Sequence, residues 1–140
     1  MPKQVFTDPF FSVDGVDLSD RVESLTLTYE SEANDAASGG DATRGMLPGL
    51  KNWGIEVNFR QDYAAAKVDA TLFAKLGTES ALVLRPATAV VSATNPQYTG
   101  NGLLTSYTPL AGSVGAVIDA PASWVPSLVS DAPDLARATS

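Results

Sequence analysis

Trp53-Gly54-Ile55-Glu56-Val57-Asn58-Phe59-Arg60-Gln61-Asp62 is the stretch that decides the fold. Trp53, Ile55, Val57 and Phe59 alternate with Glu56, Asn58 and Arg60. A period of two puts the first set on one face and the second on the other, so this is a half-buried β-strand. Upstream, Val22 to Tyr29 repeats the pattern: Leu25, Leu27 and Tyr29 share one face, Thr26 and Thr28 the other. Still earlier, Asp14-Gly15 separates Phe10–Val13 from Val16-Asp17-Leu18, which predicts a tight hairpin.

Between the two long strands, residues 31–49 break the alternation with Asn34-Asp35, Ser38-Gly39-Gly40-Asp41, Gly45 and Pro48-Gly49. So long a loop in a small domain is uncommon and is usually either functional or floppy. Downstream of Asp62 the period changes. Val68, Leu72, Phe73 and Leu76 fall at helical spacing among several alanines, and Gly77 supplies a stop, so a helix is predicted over about 65–76. Strand signals then resume at Ala81–Arg85, Ala89–Ala93, Tyr98–Tyr107 and Val114–Trp124, with Pro121 marking an edge or bulge. Many short strands and one helix predict a mainly β fold, an antiparallel β-sandwich or partly open barrel with one flanking α-helix and a long hairpin loop. The division expected is a single β-domain over 1–125 and a C-terminal extension over 126–140.

Composition narrows the chemistry. The 140 residues include no Cys and no His, and 9 Lys and Arg against 16 Asp and Glu give a net charge of −7. Disulfides, thiolate chemistry and Ser-His-Asp or Cys-His catalysis within the chain are excluded. The scattered basic residues argue against tight nucleic-acid binding. No apolar run approaches the roughly 20 residues of a membrane helix, and Met1-Pro2-Lys3-Gln4 lacks an apolar signal core, so a cytoplasm-like compartment is the default expectation. Asp14, Asp17 and Asp20 do not follow calcium-loop spacing and read as solvated turns. No phosphate-binding glycine loop occurs. No metal or cofactor is expected.

Several segments, in this order and spacing, resemble the major tail tube proteins of bacteriophages with long, non-contractile tails (siphophages). They are Val13-Asp14-Gly15-Val16-Asp17-Leu18-Ser19-Asp20-Arg21-Val22, then Gly40-Asp41-Ala42-Thr43-Arg44 with Gly49-Leu50-Lys51-Asn52-Trp53, then Asp69-Ala70-Thr71-Leu72, Ala93-Thr94-Asn95-Pro96-Gln97-Tyr98-Thr99-Gly100 and Pro109-Leu110-Ala111-Gly112-Ser113-Val114-Gly115. The resemblance runs from about Phe10 to Ala120. It implies a structural virion protein, assembled in the host cytoplasm, whose hexameric rings stack into a hollow tube for DNA ejection. It further implies a tape-measure protein and tail-terminator or tail-tip proteins as partners, with DNA passing through without specific binding.

On that reading the polar faces of the two best strands, Thr26, Thr28, Glu56 and Asn58, look into the bore, where a neutral or acidic, hydroxyl-rich wall lets DNA slide. The same alternation is equally satisfied by a face turned to outer solvent, and Arg60 stands against a purely acidic lining. The loop, with Asn34, Asp35, Gly39, Gly40, Asp41 and Arg44 and the anchors Met46, Leu47 and Leu50, is the expected ring-to-ring contact. The alternatives are a carbohydrate- or receptor-binding β-sandwich using Tyr98 and Tyr107, and an enzyme working through two carboxylates.

Overall fold

The computed structural model describes residues 4–140. In chain order the strands are β1 (Phe10–Val13), β2 (Val16–Asp17), β3 (Val22–Asp35), β4 (Met46–Arg60), β5 (Glu79–Arg85), β6 (Gln97–Tyr107), β7 (Asp119–Pro126) and β8 (Ala136–Ala138). The helix α1 (Val68–Leu72) lies between β4 and β5. All pairings are antiparallel, in the order β2-β1-β5-β6-β7-β4-β3, with β8 added to β6.

This single sheet is curled. Three strands separate β1 from β4, which would hold them roughly 19 Å apart in a flat sheet. Instead the Phe11 ring lies 5.8 Å from Phe59 and 5.4 Å from Trp124. The sheet therefore wraps around its own apolar face and stays open between β2 and β3: of the two expected forms, it is the partly open barrel. The alternating residues Trp53, Ile55, Val57 and Phe59 fill the inside together with Phe11, Leu82, Leu104 and Trp124. Val68 and Leu72 of α1 plug one end. The Asp14-Gly15 turn has φ of 49° and 84°, the pair of positive values that a two-residue hairpin needs.

Four expectations change. The helix is shorter than 65–76: five α-helical residues are followed by a 3₁₀ turn over Phe73–Lys75. The Asp62 carboxylate takes the Ala64 N–H at 2.9 Å and Ala66 has φ of 58°, so the alanines form a turn before the helix. Ala89–Ala93 is not a strand, because the buried Asn95 side chain accepts from Ala87 N–H at 3.1 Å and donates to Ala89 C=O at 2.9 Å. These bonds satisfy a chain that would otherwise need a ladder. The last long strand starts at Asp119 rather than Val114, after a turn at Gly115 with φ of 91°. Finally, residues 31–49 are mostly paired, with β3 continuing to Asp35 and β4 beginning at Met46, so only 36–45 connect them.

The segment 126–140 lies on the same sheet. Ser127 N–H donates to Asn101 C=O at 3.0 Å, Leu135 packs on the core, and β8 pairs with Gln97–Thr99.

Candidate assembly surfaces

The strands β3 and β4 outlast the barrel. β7 accompanies β4 only from Ile55 to Arg60, so β4 from Met46 to Gly54 pairs with β3 alone. The outer part of this hairpin is a two-stranded ribbon exposed on both sides, a form that is marginal in water without something to pack against. At its tip Ala36 N–H bonds to Gly45 C=O at 2.9 Å. Asp41 accepts from Ser38 N–H at 2.7 Å, and Arg44 pairs with Asp35 at 3.3 Å. Gly40, beside Gly39 in the turn, takes φ of 95°. Asn34 and Asp35 stand opposite Leu47 and Met46 in the ladder. Met46, Leu47 and Leu50 are 54%, 61% and 78% exposed, so the structure places all three apolar side chains on the arm and largely open to solvent.

The convex face at the arm's root gathers the other set. Thr26 stands opposite Glu56, Ser24 opposite Asn58 and Thr28 opposite Gly54, while Glu56 and Asn58 continue across to Ser123 and Pro121 of β7. Thr26, Thr28 and Glu56 are exposed and Asn58 is half-buried. Sequence reading missed the two groups that govern the charge here. Arg60 bonds Glu23 at 2.8 Å and Asp119 at 2.7 Å, and Asn58 donates to Glu23 at 2.7 Å. The face thus sets the carboxylates Glu23, Glu30, Glu56 and Asp119 against Arg60, whose charge is held between two of them. Asp119 is remote in sequence, and only the β4–β7 register brings it in.

The tyrosines expected of a binding platform are committed elsewhere. Tyr98 packs half-buried against the core. Tyr107 donates to Asp69 at 2.9 Å and accepts from Gln61 at 3.0 Å, and burial together with the Asp69 carboxylate pushes its pKa up to about 12. Among the described residues no group of three or more His, Cys, Asp or Glu is arranged to hold a metal ion. No helix among them is long and apolar enough to cross a membrane.

No protein-family model matches the chain, and no curated protein matches its sequence. Solved structures do match, over almost the whole length. A chain in the tail of an empty gene transfer agent particle, computed with helical refinement and C6 symmetry, superposes with a TM-score of 0.72 at 14% identity, covering 99% of both chains. The chain has the fold of a tail-tube subunit. The SPP1 tail tube, solved by solid-state NMR and cryo-EM, gives a TM-score of 0.70 at 9% identity over 95% of this chain and 77% of that one. A chain of the native gene transfer agent virion gives 0.68 at 16% identity over 97% and 99%. The tail-tube fold is therefore shared, while most side chains differ.

Proposed function

We propose that the chain is a structural, non-enzymatic virion protein whose copies close into hexameric rings and stack into a tail tube, a conduit for DNA ejected into a host. The observation that carries this reading is the end-to-end match to a chain from a C6-symmetric tail, with 99% of each chain aligned. The free margins of the sheet support it. Among the described residues β2 and β3 are unpaired on their outer sides, as is β4 from Met46 to Gly54 on the side away from β3. Exposed strand edges of this length favour pairing with another chain, and identical copies in a closed ring would satisfy them.

On this reading the arm, with Asn34, Asp35, Gly39, Gly40, Asp41 and Arg44 near its tip and Met46, Leu47 and Leu50 as anchors, bridges adjacent rings. The face of Thr26, Thr28, Glu56 and Asn58 lines the bore. Its excess of carboxylate over guanidinium gives passing phosphates little to bind. A tape-measure protein and tail-terminator or tail-tip proteins would meet the tube's contents and ends.

Electron microscopy of the purified chain at high concentration tests the proposal: rings or tubes are the expected product, and a chain that stays monomeric even with tail fragments as seeds would overturn it. Deleting 34–45 should leave a folded monomer that forms no tubes. If the shortened chain polymerises normally, the arm is not the bridge.

A further inference from the structure

We propose that the β6–β7 connection, residues 108–118, is the surface of one copy that receives the arm of a second copy in the next ring. This rests on the tail-tube reading and specifies where one of its contacts lies.

The connection is apolar, exposed and rigidly held. Leu110 and Val117 are well exposed and Val114 is completely so. A floppy loop with these side chains would be a liability, but this one is pinned at both ends. Asp119 N–H bonds to Ala111 C=O at 2.8 Å, Gln61 N–H to Ile118 C=O at 2.9 Å, and Thr108 N–H to Pro121 C=O at 2.9 Å. The Tyr63 hydroxyl donates to Pro109 C=O at 2.9 Å. An apolar surface ordered before contact loses little entropy on docking.

Charge selects the occupant. Each copy carries −7, so most faces of two copies repel. From Pro86 to Ile118 the sequence contains no Asp, Glu, Lys or Arg, and the β6–β7 connection is the end of that stretch. It can meet another copy without bringing like charges together. The matching element is the arm, where Met46, Leu47 and Leu50 are bare on a ribbon that outlasts the barrel; Val125, Leu128 and Val129 are also exposed, but sit where Ser127 ties the chain to β6.

Polarity places the two at opposite ends. β6 and β4 both run antiparallel to β7, so the Tyr107 end of β6 lies beside the Arg60 end of β4. Gln61, bonded to Ile118, follows directly. The arm runs on from the other part of β4, and its Met46 stands fourteen residues and roughly 45 Å from Arg60 along the strand. Two different apolar surfaces at opposite ends of one molecule give a head-to-tail contact that repeats without closing, which is the geometry of stacking.

The absence of Cys makes the test clean. Tubes would be assembled from full-length Leu47→Cys combined in turn with Leu110→Cys, Val114→Cys or Val117→Cys, and treated with a mild oxidant. At least one pair should yield a ladder of disulfide-linked multimers on a non-reducing gel, while Leu47→Cys alone should not. Tubes in which none of the three pairs cross-links would overturn this docking and leave the tail-tube reading standing. A full-length unmodified chain that forms neither rings nor tubes would overturn both. As a second measurement, the fully exposed Val114→Glu should fold with an unchanged melting temperature, yet raise the concentration needed for tubes about tenfold or more, leaving unstacked rings. Tubes at the unmodified concentration would count against the docking.

Discussion

The indole Nε1 of Trp53 donates a 2.7 Å hydrogen bond to the carbonyl oxygen of Pro133, tying the root of the arm to the C-terminal segment. The same ring lies over Gly100, where an added Cβ would sit 2.9 Å from it, and Leu135 packs alongside. Residues 128–135 are also tied by Ser130 to Glu79, by Asn101 to the Ala132 carbonyl and by Leu135 on the core, and the Trp53 bond adds to these. Trp53→Phe should cost about 2 kcal/mol, from the lost bond and the volume left behind. Urea unfolding would measure the loss, and limited proteolysis should cut first within 128–135. Unchanged cleavage there would mean that β8 and the contacts of Ser130, Ala132 and Leu135 hold the segment without Trp53.

Gly102 and Gly54 form a paired test of packing. A Cβ at Gly102 would stand 2.5 Å from Cδ1 of Leu82 and 3.2 Å from Cβ of Trp124, both buried in the core. Gly102→Ala should destabilise by about 1–3 kcal/mol through overpacking. A Cβ at Gly54 meets nothing nearer than 3.7 Å, so Gly54→Ala should be neutral or stabilise by about 0.5 kcal/mol. Equal effects of the two substitutions in chemical denaturation would contradict the assigned packing.

Acid should weaken the fold through Asp14. Burial pushes its pKa up, but the Lys75 ammonium and the Ala81 N–H, each 2.7 Å away, outweigh it and hold the carboxyl below its ordinary 3.8. A depressed pKa contributes stability that is present above the unfolded value and lost as pH falls through the folded one. The urea midpoint should therefore fall as pH drops below about 4, and Asp14→Asn, which suits the positive-φ turn, should fall less steeply. Parallel pH profiles for the two proteins would remove Asp14 from the account.

The bore assignment can be tested by topology of the DNA. Glu56→Lys adds a cation beside Thr26, and tubes of this variant should retain short linear duplex DNA at low salt and release it as salt rises. A lumen admits linear fragments and excludes covalently closed circles. Equal retention of both forms would place Thr26, Thr28, Glu56 and Asn58 on the outside.

The legible parts of this fold are those where one face of a strand is wet and the other dry. Trp53 to Phe59 and Leu25 to Leu27 alternate because the barrel wall lies behind them, and the core could be read from them directly. The hairpin was legible, but the strand pairing along its arm was hidden for the same reason. From Glu30 to Leu50 both faces meet water in the isolated chain, so alternation has no cause and the ladder is held by backbone bonds that leave no trace in side-chain pattern. The helix was overextended because alanine propensity is weaker than one well-placed acceptor, the Asp62 carboxylate. Asn95 replaced a strand in a similar way, its amide standing in for a neighbouring chain. The convex face was half legible: Thr26, Thr28, Glu56 and Asn58 follow from alternation, whereas the clasp of Arg60 by Glu23 and Asp119 depends on long-range register.

Ser31 and Ala33 of β3 are separated by a bulge, and Gly49 lies where any side chain would strike Glu32 within 2.9 Å. A slip of one residue would drive Pro48 or Leu50 toward Cβ of Glu32, so the contact and the bulge together favour the observed alignment. On the tail-tube reading, an arm whose crease is already pressed into each monomer would reach its neighbour in a shape copied rather than negotiated.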